Sequence, residues 1–196
     1  MIWRVALFLG LSACTAQIGS DTQQIRAALT PQRVAALQVP MILIETSKGS
    51  SATLLRVGQN GAVTTWQTRD GVQVSTQAGI VVASRGFGHD LMASDVSGVV
   101  AALSQGGGQY TRQWSHFDGD FGVSTESARC DLSAAGVMVH DGFSGPVRVT
   151  RYEERCQRSG GPIVNRYDID DMQNVWWSEQ WLSAELGYVN RILVRP

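Results

Sequence analysis

The apolar residues of this chain follow three rhythms. From Val5 to Leu11 they run almost unbroken. Between residues 21 and 40 they recur at helical spacing, Ile25 with Leu29 and then Val34 with Leu37. Asp21, with Gln24 three residues on, and Thr30, followed by Pro31, are placed to start two short helical turns, and Pro40 ends them. From Met41 the rhythm becomes that of strands, predicted at 41–46, 53–57, 62–68, 72–76 and 80–84. Asn60-Gly61 supplies the positive φ angles of a tight hairpin turn, Asp70-Gly71 makes a second turn, and Gly79 a third break. The spacing of Val96, Val99, Val100 and Leu103 predicts a helix over 95–104, stopped by Gly106-Gly107-Gly108. Strand patterns resume at 109–117, 122–130, 136–140, 146–157, 163–169, 175–182 and 188–194. The stretch 147–155 is long and charged, so it reads as a twisted strand with one wet face. About ten strands, few helices, no βαβ alternation and no fixed repeat give the expected fold class. It is mainly β, with antiparallel sheets forming a sandwich or partly open barrel and one or two short helices.

The first rhythm has a different meaning. Val5–Leu11 is far shorter than the roughly 20 apolar residues that cross a bilayer. With Arg4 before it and small residues after it, it reads as a secretory signal. Leu11-Ser12-Ala13-Cys14 matches the bacterial lipobox, in which small side chains admit the strand to the peptidase and the thiol accepts a diacylglycerol. The competing reading, Cys14 in a buried N-terminal helix, leaves that order and spacing unexplained. The expected organisation is a lipoprotein signal peptide at 1–13, a lipidated tether at 14–20 and one mainly-β domain at 21–196. Several acyl chains on Cys14 make a stable anchor where one alone would be marginal. Thr15 stands where inner-membrane retention typically shows Asp, which favours the outer membrane, with the domain facing the periplasm.

Charge and cysteine content refine this. The chain has 16 basic and 17 acidic residues, and losing Arg4 leaves 15 basic ones, which is no footprint for nucleic acid. Lys48 is the one lysine. With Cys14 lipidated, Cys130 and Cys156 remain, and in an oxidising periplasm they form a disulfide more readily than a redox or metal site. Such a link would stabilise by roughly 3 kcal/mol. The alternative is two buried thiols.

Candidate chemistry is sparse. His89, His116 and His140 lie far apart in sequence with no second ligand at metal spacing, so no metal or other cofactor is expected. Ser144 in Gly142-Phe143-Ser144-Gly145 falls one residue short of a nucleophile elbow and precedes a strand. Asp118, Asp120, Asp168, Asp170 and Asp171 do not complete a calcium loop, although a glycosidase-type carboxylate pair needs no sequence proximity. No catalytic residue is assigned. Trp176, Trp177 and Trp181 crowd one segment and are the candidates for glycan contact, because indole rings stack on sugars. Strand geometry sends Trp176 and Trp177 to opposite faces, so one of them can be core.

The block Trp66-x(3)-Asp70-Gly71, then Gly79-Ile80-Val81 and Gly86-Phe87-x-x-Asp90-Leu91, carries a resemblance. With the lipobox before it and Gln180-Trp181-Leu182 after it, the chain resembles the YjbF/GfcB family of group 4 capsule and exopolysaccharide lipoproteins. Where relatives often carry Thr-x-Gly-Leu, this chain has Ser84-Arg85-Gly86-Phe87. The resemblance implies a non-enzymatic outer-membrane accessory protein for exopolysaccharide or capsule export or assembly. Its expected partners are polysaccharide-export proteins or the polysaccharide itself. The alternative is a glycan- or lipid-binding module with a Trp-lined β surface.

Overall fold

The structure is a computed structural model that describes residues 22–117 and 122–196. Cys14, the tether, Asp21, Asp118 and Asp120 therefore lie outside the described residues. Two short helices, α1 (Thr22–Ala28) and α2 (Pro31–Ala35), lead into β1 (Met41–Thr46), β2 (Ser51–Asn60), β3 (Val63–Gln67), β4 (Gln73–Gln77), β5 (Ile80–Arg85) and β6 (Leu91–Asp95). Helix α3 (Ser97–Gln105) precedes β7 (Gly107–Phe117), β8 (Val123–Gly142), β9 (Gly145–Gln157), β10 (Ile163–Ile169), β11 (Val175–Ser183) and β12 (Gly187–Arg195).

All twelve strands belong to one antiparallel sheet in the order β5-β4-β3-β2-β1-β12-β11-β10-β9-β8-β7-β6. Neighbours in sequence pair with each other except β5 and β6, and the one long-range pairing joins β1 to β12, from Met41 opposite Arg195 to Thr46 opposite Val189. The end strands β5 and β6 come together, so the sheet is a nearly closed barrel, as the barrel form of the expected fold class requires. The two helical turns pack outside it, with Val34, Leu29 and Ile25 against Leu43, Ile192 and Val194. Thr30 caps α2 by accepting from the Arg33 N–H at 3.4 Å.

Two details differ from the sequence expectation. The predicted strands at 122–130 and 136–140 are one 20-residue strand, β8. The Ser133–Gly136 stretch that reads as a break is a bulge in the ladder with β9, between Ala134 and Gly136. Strand β6 escaped the pattern because only Leu91 of its five residues is buried.

Twelve strands enclose more space than side chains fill in a small barrel. Here the space is removed by flattening and by a plug. Strand β5 lies across the interior from β11, where the Val81 N–H donates to Gln180 Oε1 at 3.0 Å. Gly79 allows this approach: its φ is +79°, and a Cβ there would come within 2.8 Å of Val175 Cβ. Arg191, buried against the same wall, donates to the Val175 carbonyl, and burial lowers its pKa to about 10. Helix α3 closes one end with Val99, Ala102 and Leu103 packed against Ile80, Leu132, Tyr167, Ile169 and Val175. A Cβ on Gly98 would meet the Tyr110 ring at 2.7 Å, so the helix can seat this deeply only with glycine there.

The inward residues alternate along β7 to β10, as period-2 strands require. Tyr110, Cys130, Cys156 and Ile163 form one row across the ladders, and Leu132, Glu154 and Asn165 the next. Cys130 and Cys156 sit directly opposite each other on β8 and β9 and are joined by a disulfide. Beside it Glu154, wholly buried, accepts from Arg112 at 2.6 Å, Asn165 at 2.6 Å, Tyr167 at 2.7 Å and Tyr110 at 2.8 Å. Burial, the largest single influence, would lower the pKa of Arg112, but Glu154 together with Tyr167 and Tyr110 outweighs it and holds the guanidinium protonated. Burial, reinforced by Glu154, pushes both tyrosine hydroxyls up, so they stay donors. On the opposite face Arg151, Glu153, Arg155 and Arg166 form the wet, ion-paired side expected of 147–155.

Candidate functional site

Strand direction sorts the connections into two poles. The β2–β3, β4–β5, β8–β9 and β10–β11 turns lie at the pole plugged by α3. The β1–β2, β3–β4, β5–β6, β9–β10 and β11–β12 connections gather at the other, which is the mouth.

The Trp66–Leu91 block builds much of this mouth. Trp66 points inward and donates its indole N–H to Thr76 Oγ1 at 2.9 Å. In the turn that carries Asp70 and Gly71, Thr68 Oγ1 accepts from the Val72 N–H at 2.9 Å. Asp90 fixes the β5–β6 loop, since its carboxylate accepts from Ser84 Oγ at 2.8 Å, the Gly86 N–H at 2.8 Å and the Phe87 N–H at 3.2 Å. Ser84 Oγ in turn accepts from the Leu91 N–H at 3.0 Å. Gly86 has φ +94° and lies against Val72, which ties the two halves of the block together. Asp90→Ala is expected to cost about 1–3 kcal/mol in denaturant unfolding, because three donors lose a charged acceptor. An unchanged midpoint would show that the loop does not need the carboxylate.

Two clefts flank this loop. One, of about 300 Å³, is lined by Ile44, Ala52, Leu54, Val72, Phe87 and Leu186, with Lys48, Asp70 and His89 at its rim. The other, of about 660 Å³, has a mixed wall in which Phe117 and Trp181 stand with the charged or polar Arg85, Asp90, His116, Glu126, Arg158 and Glu185; those groups make it the polar cleft of the two. Arg158 lies 4.3 Å over the Trp181 ring and donates to both Glu126 oxygens at 3.0 Å. Trp114 meets Trp181 edge-on at 5.6 Å. Burial pushes the His116 pKa below the ordinary histidine range, partly opposed by the Asp90 backbone, Glu185 and Glu126. Both volumes fall within the range of small-molecule sites.

The three tryptophans of the 175–182 segment do not share a surface. Trp181 is buried beneath the polar cleft. Trp177 is on the outer wall, packed with Phe143 and under the Arg151 guanidinium at 5.0 Å. Trp176 donates its indole N–H to Asp170 at 2.8 Å. Trp181 lies just before a bulge in the β11–β12 ladder, between Trp181 and Ser183. The acidic candidates are separated as well. Asp168 accepts two bonds from Arg151 at 2.7 Å, with His140 Nδ1 3.6 Å away. Asp170 caps the β10–β11 turn through the Met172 and Asn174 N–H groups, and Asp171 is exposed near Arg148. Ser144 is exposed at the β8–β9 tip. His89 and His116, far apart in sequence, do meet at one cleft. Sequence reasoning missed the pairing of Glu126 with Arg158. The available signal was that both stand near strand ends that an up-and-down sheet brings to the same pole.

A search of the curated proteins finds no match. Among solved structures the chain is similar to the hypothetical lipoprotein YmcC from Escherichia coli K12, at 17% identity and a TM-score of 0.76, covering 92% of this chain and 98% of that one. A protein from Bacteroides fragilis described as having a YmcC-like fold aligns at 13% identity and a TM-score of 0.32, over 80% of this chain and 93% of that one. The first likeness shows the fold. The family described as group 4 capsule polysaccharide lipoprotein GfcB, YjbF matches residues 8–192. On that match the chain belongs to the YjbF family of group 4 capsule polysaccharide lipoproteins.

Proposed function

We propose that this protein is a non-enzymatic accessory factor for export or assembly of capsule or exopolysaccharide. It is held by lipid on Cys14 at the periplasmic side of the outer membrane. The observation that supports this most is the filled barrel: side chains and α3 occupy the interior, leaving clefts at one mouth, a shape suited to holding a partner rather than to conduction. The candidate carboxylates Asp168, Asp170 and Asp171 are each engaged in separate local contacts. The partners on this reading are export proteins or the polymer.

The test is genetic. Deleting the gene is expected to lower surface polymer severalfold, and Cys14→Ala is expected to move the protein from the membrane to the soluble periplasmic fraction and reproduce that loss. Unchanged polymer in the deletion strain would sink the proposal. Glycan or lipid binding is the second reading. The mouth clefts favour it, with Trp181 rather than Trp176 or Trp177 beside them.

A further inference from the structure

We propose that the two mouth clefts are one bipartite site for an amphiphile, with an alkyl chain in the apolar cleft and an uncharged polyhydroxylated head in the polar one. Four observations lead there. The clefts are adjacent, on either side of the β5–β6 loop, and His89 lines both. The six apolar side chains of the smaller cleft offer a surface that an alkyl chain would cover, worth roughly a fourfold gain in affinity per buried methylene. In the larger cleft opposite charges stand together, Arg85 and Arg158 with Asp90, Glu126 and Glu185, and Arg158 with Glu126 already form a pair. That balance favours neither an anion nor a cation. The polar cleft is also lined by His116 and Arg158: the His116 ring has only the Asp90 backbone close to it, Arg158 Nε makes no hydrogen bond among the described residues, and these enclosed nitrogens would meet a ligand hydroxyl only by a small turn of the side chain. Buried polar atoms are ordinarily satisfied, and hydroxyl groups, which donate and accept, match a neutral histidine.

The N-terminal side of the chain puts this site near its ligand. Thr22 Oγ1 and Ser51 Oγ are 2.6 Å apart, and Ser51 lines the apolar cleft. The eight residues from Cys14 to Thr22 reach at most about 30 Å. A chain lipidated at Cys14 thus keeps the mouth within that distance of the membrane surface. Only the place where the ligand is met rests on lipidation; the site itself does not.

Calorimetry on the full chain carrying Cys14→Ala tests the proposal, with octyl, decyl and dodecyl maltoside below their micelle concentrations. One saturable site is expected, tightening along the series until the apolar cleft is filled. Maltose alone should show no saturable heat at millimolar concentration, and dodecyl phosphocholine should bind at least tenfold more weakly. Ala52→Trp, which fills the cleft, and Ser50→Trp, on the exposed turn at its entrance, should each weaken dodecyl maltoside at least tenfold. Because Ser50 is exposed, its variant keeps the test valid should Ala52→Trp fail to fold. Bound dodecyl maltoside should also protect Lys48 from an amine-reactive reagent. Absence of saturable binding, or equal affinity in wild type and Ser50→Trp, overturns the site. Equal affinity for the maltoside and the phosphocholine overturns the assigned head group. Surface-polymer measurements stay independent of all these outcomes.

Discussion

Glu154→Ala is expected to destabilise the protein by about 3–5 kcal/mol, the cost of leaving one member of a buried ion pair uncompensated. For a domain of this size that corresponds to a fall in Tm of roughly 10 °C, readable by circular dichroism. Four donors converge on this one carboxylate, from Tyr110, Arg112, Asn165 and Tyr167, so the substitution strands a guanidinium and three neutral donors at once. Removing both charges is a different experiment. Arg112→Met together with Glu154→Leu is expected to lose much less, because no unpaired charge is left inside. If the single variant lost under 1 kcal/mol, the network would be neither dry nor tight.

The disulfide carries the second large effect. Replacing Cys130 and Cys156 by Ala, or reducing them, is expected to cost about 3 kcal/mol, the loop-closure entropy released to the unfolded chain across their separation of 26 residues. Guanidinium unfolding with and without reductant measures it, and a reductant-insensitive midpoint would contradict it. Because Glu154 lies close to both sulfurs, the disulfide and Glu154 variants share neighbours. Combined, their losses should depart from simple addition, as coupled sites do.

Much of the fold was legible wherever one face of a strand was buried and the other wet. The Asn60-Gly61 hairpin, helix α3 and the wet face of β9 all follow from such local contrasts. The outer part of β8 was misread because residues 133–139 are exposed on both faces and carry no alternation. Nor could period alone reveal that Glu154 points inward between the outward Glu153 and Arg155, since all three are simply charged in the sequence. For the site, the Trp66–Leu91 block marked the right region. The polar cleft did not stand out, because its parts come from four separate stretches of the chain that meet only once the sheet has curled. The Trp176-Trp177-Trp181 cluster misled for the opposite reason: residues close in sequence end in different surroundings, Trp181 buried, Trp177 under Arg151 and Trp176 bonded to Asp170.

The β1–β12 seam has a consequence for the order of assembly. Every other pairing joins consecutive strands and can form locally as the chain emerges. The seam joins the first strand to the last, with Met41 opposite Arg195, so its contacts wait for the whole chain. Until β12 arrives, one edge of β1, with Ile42, Leu43 and Ile44 along it, is an open template for other strands. A chain delivered N-terminus first is therefore most vulnerable to aggregation just before its final ten residues are released, and loss of that short tail would leave a barrel that cannot shut.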